Sequence, residues 1–358
     1  VTVTPAATQA TPTPAATQAT RTPLPELIAI DEQMRAEGAT ARADATYPSS
    51  PKLSIVVIIY KMSRQAENTL HSLSPAYQQG VTADDYEVIV VENSSADPLG
   101  AERALAHGPN FRYYARPNIG ASPVPGIIFG VESTRAPILG LVIDGARMVT
   151  PRVVRYALDA FAITDHAVVN VPGYHLGTDE QHSNPAHDEH AEQSMLDAVR
   201  WKEDGYRLFV ISSYFRGRHQ HGYLMPVMES NCLFCSRADY ESIGGADIRF
   251  DLPGGGMVNL DLYRQLAMLP HVELFSLPGE GTFHQYHGGV TTTADEGRED
   301  MLHTFREQYR MLRGTNYRMV EREPRLLGAV TGWATPMLKF SAMERMRIYE
   351  LLGWDSWT

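Results

Sequence analysis

Cysteine is nearly absent from this 358-residue chain, which carries only Cys232 and Cys235. Two thiols cannot build the disulfide framework of a small secreted domain, and without a second CxxC the pair falls short of a structural zinc site. The segment NCLFCS is apolar, so the pair reads as two reduced core thiols, in keeping with a reducing cytoplasm. Long apolar runs are also missing. None approaches the ~20 residues that span a bilayer, and the first residues lack the basic and apolar regions of a secretory leader. A cytoplasmic protein is expected, either free or peripheral at a membrane. Positive charge is in deficit, with 31 Lys and Arg against 42 Asp and Glu, which argues against a nucleic-acid backbone as partner. Glycine is absent from Tyr60-Lys61-Met62-Ser63-Arg64, where a dinucleotide-binding or P-loop fingerprint would need it.

What is present is an alternation of apolar runs and amphipathic segments. Leu53–Tyr60 and Tyr86–Val91 are almost unbroken apolar, β-branched stretches, as expected of strands buried on both faces of a parallel sheet. Between them Ala66, Leu70, Leu73 and Tyr77 recur at helical spacing, completing a right-handed βαβ unit. Further strands are expected over 111–114, 138–143, 166–171, 206–212, 229–236, 271–277 and 281–286. Helices are expected over 124–133, 151–161, 237–243, 258–268, 294–312 and 335–352. The alternation predicts a doubly wound, mostly parallel sheet with helices on both faces. Before this core, TPAATQAT occurs at 4–11 and again at 13–20, a composition that cannot offset ordering entropy. The expected organisation is a low-complexity, disordered tail over 1–45 with room for one short helix, a catalytic-size domain over 46–290 and a helical extension over 291–358.

LSIVVIIYK at 53–61, VIVVENSSAD after the second strand, RPNIGAS at 116–122 and LVIDGAR at 141–147 together resemble the family 2 glycosyltransferases of the GT-A fold. The resemblance covers roughly 53–290. It implies a Rossmann-like half that holds a nucleotide-diphosphate sugar, here UDP- or dTDP-activated, and transfers a hexose with inversion to a hydroxyl of a glycan or glycolipid. It also implies a divalent cation, Mn2+ or Mg2+, at the diphosphate. Charge neutralisation of the leaving group and a base for the acceptor are what such a displacement needs.

The resemblance suggests roles for particular residues. Tyr60, Arg64, Glu92, Asn93, Arg116 and Asn118 fall near the nucleotide-sugar, with Glu92 at the nucleoside and Arg116 able to pair with phosphate. Asp144 ends a buried strand, where a carboxylate needs a use or a partner. It stands at the head of the family's Asp-x-Asp motif, but Gly145-Ala146 follows, so the second acid is missing. A histidine of FHQYHGG at 283–289 could replace it. Residues three apart in a strand face opposite ways, so one of His284 and His287 is expected to reach the metal, His284 first. Arg147 is an alternative source of positive charge for phosphate.

The base is less determined. Where the family often has an acidic pair at a helix start, this chain has Val258-Asn259. Asp261 is the nearest acid, with Asp251 and Glu229 as rivals and helix capping as the plain alternative. His175, His182, His187 and His190, set among acids over 174–200, form either a metal cluster or a polar loop and helix by the acceptor. The C-terminal amphipathic segment could pack on the core, form a homo-oligomer or touch a membrane. The rival functions are a catalytically inactive nucleotide-sugar-binding protein and, less favoured, a nucleotidyltransferase. If the tail is dispensable, a chain starting near Tyr47 should keep its kcat; a large loss on truncation, read by steady-state kinetics, would contradict this.

Overall fold

The computed structural model describes residues 48–93, 95–116, 122–177, 184, 186–214, 222–224, 231–287 and 297–351. The repeat region, Asn118, His182 and Glu229 lie outside them. In chain order the elements are β1 (Leu53–Ile59), α1 (Ser63–Ser72), β2 (Tyr86–Asn93), α2 (Ala101–Leu105), β3 (Phe111–Arg116), α3 (Val124–Glu132), β4 (Ile138–Val142) and β5 (Arg147–Val149). Then come α4 (Val153–Ile163), β6 (Ala167–Asn170), β7 (Gly173–Leu176), α5 (Glu189–Val199), β8 (Ser212–Tyr214), β9 (Cys232–Ser236) and α6 (Arg237–Ser242). The chain ends with α7 (Val258–Ala267), β10 (Glu273–Ser276), β11 (Thr282–His284), α8 (Arg298–Arg313), β12 (Arg325–Leu326) and α9 (Thr335–Leu351).

The main sheet has the order β12-β10-β6-β9-β4-β1-β2-β3. Its pairings are parallel except those of β9, which runs against both β4 and β6. The sequence expectation of a mostly parallel sheet covered on both faces is met, because each strand divides its apolar residues between two cores. Val56 and Ile58 of β1 face a core built with α3, α7 and α8. Leu53, Ile55, Val57 and Ile59 face the other core, built with α1 and α4. The period of two along the strand produces this division. It also separates the thiols: Cys235 lies in the first core and Cys232 in the second. Neither is in a disulfide and both are buried, and on opposite faces they cannot share a metal.

A second, four-stranded sheet of order β5-β11-β7-β8 lies beside the first. Its three- and four-residue strands are too short for a hydrophobic period to announce. Its core gathers Tyr174, Phe209, Tyr214, Phe283 and Met337. The expected strand over 206–212 is instead a 3-10 helix over Gly205–Ile211, started by Asp204, whose carboxylate accepts from Tyr206 N. Tyr206, Leu208 and Phe209 are buried while Val210 is exposed, a spacing an alternating strand would not give. The C-terminal segments pack against the rest: β12 joins β10, and Tyr214 bonds both Met337 O and Ser341 of α9. Among the described residues no helix is long and apolar enough to cross a membrane.

Three buried polar side chains lock the sheet's core. Glu87 of β2 accepts from Ser54 Oγ at 2.5 Å, from Arg112 Nη2 of β3 at 2.8 Å and from Arg135 N at 2.9 Å. Removing one partner of a buried ion pair leaves the other charge uncompensated, typically at about 3–5 kcal/mol. Glu87→Ala is therefore expected to lower unfolding free energy by about that amount in urea titration, and a loss within about 0.5 kcal/mol, ordinary for surface changes, would contradict the assignment.

Candidate active site

The carboxyl edge of the main sheet is where open α/β sheets place ligands, and the expected residues of β1–β4 fall there. Asp144 follows β4 by two residues. Its Oδ1 accepts from Ala146 N at 3.0 Å, a local turn that fixes the carboxylate. Gly145 is needed for this turn because a Cβ would meet Ile58 O at 2.9 Å. Ala146 is fully buried, and its carbonyl accepts from Gln285 N. A second acid at 146 would therefore be placed in the interior.

The histidines arrive from β11. This strand lies between β5 and β7, with His284 opposite Arg147 on one side and His175 on the other. The strand ends at His284, so the chain has turned before His287, and the alternation that would part the two side chains no longer applies. Both reach Asp144. His284 Nε2 is 3.1 Å and His287 Nε2 3.6 Å from Asp144 Oδ2, and the two Nε2 atoms are 2.9 Å apart. The expectation that only one imidazole would approach is corrected by this early strand end.

These three atoms suit a divalent cation. Donors sharing one face of an octahedron with ~2.1–2.3 Å bonds stand about 3.0–3.2 Å apart, close to the observed triangle. Two imidazoles and one carboxylate on a face with open positions is a recurrent metal-binding set. Two Nε2 lone pairs at hydrogen-bond distance also require a proton or a cation between them. Arg147 Nε, 3.6 Å from Asp144 Oδ2, adds a fixed positive charge.

The electrostatics are divided. Burial and the Arg147 guanidinium push the His284 imidazole down to about 3. Burial opposes ionisation of Asp144, but the flanking His287 and His284 hold it well below the usual carboxylate range. Burial would also lower His287, yet the Asp144 carboxylate raises it above 6.5. His287 is thus the imidazole that must shed a proton before a metal binds.

The turn carrying His287 is clamped. Gln285, fully buried, donates to Gln65 O and accepts from Asn68 Nδ2, each at 2.9 Å. Tyr286 N donates to Glu192 Oε2 at 2.7 Å, and Tyr286 O accepts from Gln65 Nε2 at 2.6 Å. Glu192, on α5, also accepts from Arg64 Nη2 at 2.9 Å. Arg64, expected near the nucleotide, is thereby occupied in positioning this turn. His187 lies 3.5 Å from Glu192, and His190 is exposed on α5. Among the described residues, those two histidines form no metal cluster. Glu192 and Gln285 escaped sequence reasoning; a lone acid in an acid-rich stretch carries no signal of burial.

The other expected residues are distributed. Glu92 is buried at the end of β2 and accepts from Leu99 N, Gly100 N and Tyr113 Oη at 2.7, 3.1 and 2.6 Å, which ties down the following loop. Asn93 ends β2 and Arg116 ends β3, opposite one another. Arg116 is 1% exposed, with its guanidinium 5.0 Å from the Phe129 ring. Tyr60, half-buried, follows β1. Asp261 is 1% exposed and held through both oxygens by Arg313, at 2.7 and 2.6 Å, with Gln265 at 2.5 Å. It is engaged as a strut between α7 and α8. Asp251 is exposed and accepts from Gln308 Nε2 at 2.8 Å. Asn259, buried at the start of α7, donates to Asn231 Oδ1 at 2.7 Å.

No protein-family model matches the chain, and no curated protein matches it. Similar solved structures include TarS of S. aureus (12% identity, TM-score 0.42, covering 83% of this chain and 43% of TarS). Another is the mannosyltransferase PcManGT from Pyrobaculum calidifontis in complex with GDP-Man and Mn2+ (14%, TM-score 0.42, 90% of this chain and 79% of that one). A third is glucosyl-3-phosphoglycerate synthase from Mycobacterium tuberculosis with Mg2+ and UDP (14%, TM-score 0.41, 77% and 81%). The chain thus spans less than half the length of TarS.

Mn2+ titration followed by electron paramagnetic resonance should show binding lost in Asp144→Ala and weakened about 10–100-fold in Glu192→Ala, the usual cost of removing an outer-shell support. Binding should strengthen as pH rises past the raised His287 value, since the proton competes with the metal. Unchanged Mn2+ affinity in Asp144→Ala would exclude this triad.

Proposed function

We propose that the protein is a metal-assisted glycosyltransferase that moves a hexose from a nucleotide-diphosphate sugar to an acceptor hydroxyl. The observation that carries this reading is the convergence of Asp144, His284 and His287 at the carboxyl edge of the sheet, with Arg147 beside them. A divalent cation held by those three side chains would supply charge neutralisation to a departing diphosphate. Arg147 adds a fixed guanidinium on the same side, Asn93 and Arg116 stand at the ends of β2 and β3 toward the nucleotide, and Glu92, with both oxygens bound within the chain, shapes the loop after β2. UDP or dTDP is the donor nucleotide suggested by the sequence resemblance.

Asp251 is the carboxylate best suited to act as base. It is exposed, and its loop packs on the start of α3, where Ser122 Oγ donates to Phe250 O at 2.6 Å. Asp261, with both oxygens bound to Arg313, is a positioning residue. Asn259 favours a second reading. An amide at the helix start where the resembled family often has acid cannot take a proton, so nucleotide-sugar binding without transfer is the alternative. A glycan or glycolipid acceptor rests on the same resemblance, while a peripheral membrane contact and self-association rest on the C-terminal segment, where Met343 and Met346 are exposed.

The two readings separate in one experiment. Purified protein is incubated with UDP- and dTDP-hexoses and Mn2+, and nucleotide release is measured alongside thermal shift, since a bound ligand raises stability by mass action. The transferase reading expects both a shift and turnover, with Asp251→Asn lowering kcat by about 10²–10⁴ at little changed donor KM. Asp261→Asn should chiefly lower the melting temperature. A shift without turnover in the presence of varied acceptors supports the binding reading, and a fully active Asp251→Asn removes Asp251 as base.

A further inference from the structure

Two histidines and a buried aspartate meet at the opposite edge of the main sheet. His166 immediately precedes β6 and His271 lies two residues before β10. These strands are parallel neighbours, and Glu273 N donates to His166 O at 3.0 Å, which brings the two strand entries side by side. Asp239 comes from the first turn of α6. His166 Nδ1 stands 3.2 Å from both Asp239 oxygens, and His271 Nε2 stands 2.8 Å from Oδ1. The ring centroids are 4.5 Å apart at 77°, and one donor atom from each residue lies within 4.8 Å of the others.

We propose that His166, Asp239 and His271 form a second divalent-cation site, suited to zinc and separate from the cleft. The donor set of two imidazoles and a carboxylate is one that zinc favours. Tetrahedral zinc with ~2.0–2.1 Å bonds spaces its ligand atoms by about 3.3 Å, close to the 3.2 and 2.8 Å between the two imidazoles and Asp239. The carboxylate is already oriented by an outer bond, since Ser236 Oγ donates to Asp239 Oδ2 at 2.6 Å. Asp239 is 3% exposed and the imidazoles 47% and 46%, which leaves the solvent side open for a water ligand. Asp165 and Glu241 line the hollow next to His166 and favour a cation there. Arg237 lines it too, but its guanidinium is turned to Ala136 O.

The site is distinct from the first because β6 and β10 run in the same direction as β4. His166 and His271 stand where strands begin, Asp144 where one has ended. A bound ion would tie the entries of β6 and β10 to α6 and so raise stability without touching substrate. The plain alternative is a hydrogen-bonded His–Asp–His network that binds no metal.

The test is a zinc titration of the full chain against a chromophoric chelator, with thermal melting in parallel. The His166→Ala/His271→Ala variant should lose one zinc equivalent while the equivalent at Asp144 remains, and zinc should raise its melting temperature less than it does in the unaltered protein. His166→Gln/His271→Gln serves as a variant that better keeps side-chain volume. NMR of 13C-labelled histidines in the unaltered protein gives a readout independent of folding of the variants. Zinc should perturb two imidazole signals in Asp144→Ala protein as in the unaltered protein. Retention of every zinc equivalent in either double variant, or no imidazole signal moved by zinc in Asp144→Ala protein, would overturn the site and leave the hydrogen-bonded network.

Discussion

A histidine can meet the carboxylate beyond β4 only because β11 is wedged between β5 and β7. That pairing sets His284 opposite Arg147 and leaves Gln285 N to bond Ala146 O, inside the very turn that carries Asp144. The triangle of Asp144, His284 and His287 is therefore built by backbone pairing across the small sheet, and its two sides cannot drift independently. The buried Gln285 and Glu192 then fix the turn from the α1 and α5 sides. This arrangement is preorganised, with donors held by rigid elements and outer bonds before any ligand arrives.

The same architecture decides which acids are free to act. Arg313 on α8 takes both oxygens of Asp261 and one of Asp247, joining α8 to α7 beneath the loop that holds Asp251. A carboxylate bound in this bidentate way is a strong structural tie and a poor proton acceptor. Asp251, on the adjoining loop, stays exposed. One of these neighbouring acids is thus tied into the scaffold and the other stays exposed, and the difference depends on a partner 52 residues from Asp261 in the chain.

That distance shows what sequence could and could not disclose. The main sheet was legible because doubly buried strands such as β1 and β2 are continuous apolar runs, and Asp144 was legible because an acid ending such a run is out of place without a use. The small sheet was not, since strands of three residues carry no measurable period. His287 ranked behind His284 because a strand over 281–286 would part the two side chains, whereas the strand ends at His284. Asp261 looked like a base because nothing local reveals Arg313, and Glu192 looked like one solvated acid among many. The 3-10 helix over Gly205–Ile211 imitated a strand because its apolar residues were read without the capping Asp204.

Anomalous diffraction from crystals grown with Mn2+ and a nucleoside diphosphate tests the central claim most directly. The expected result is a manganese peak within bonding distance, ~2.0–2.3 Å, of Asp144 Oδ2 and the Nε2 atoms of His284 and His287, with diphosphate oxygens completing its coordination. A nucleotide bound at the carboxyl edge with manganese absent from those three side chains, or bound elsewhere on the chain, would contradict it.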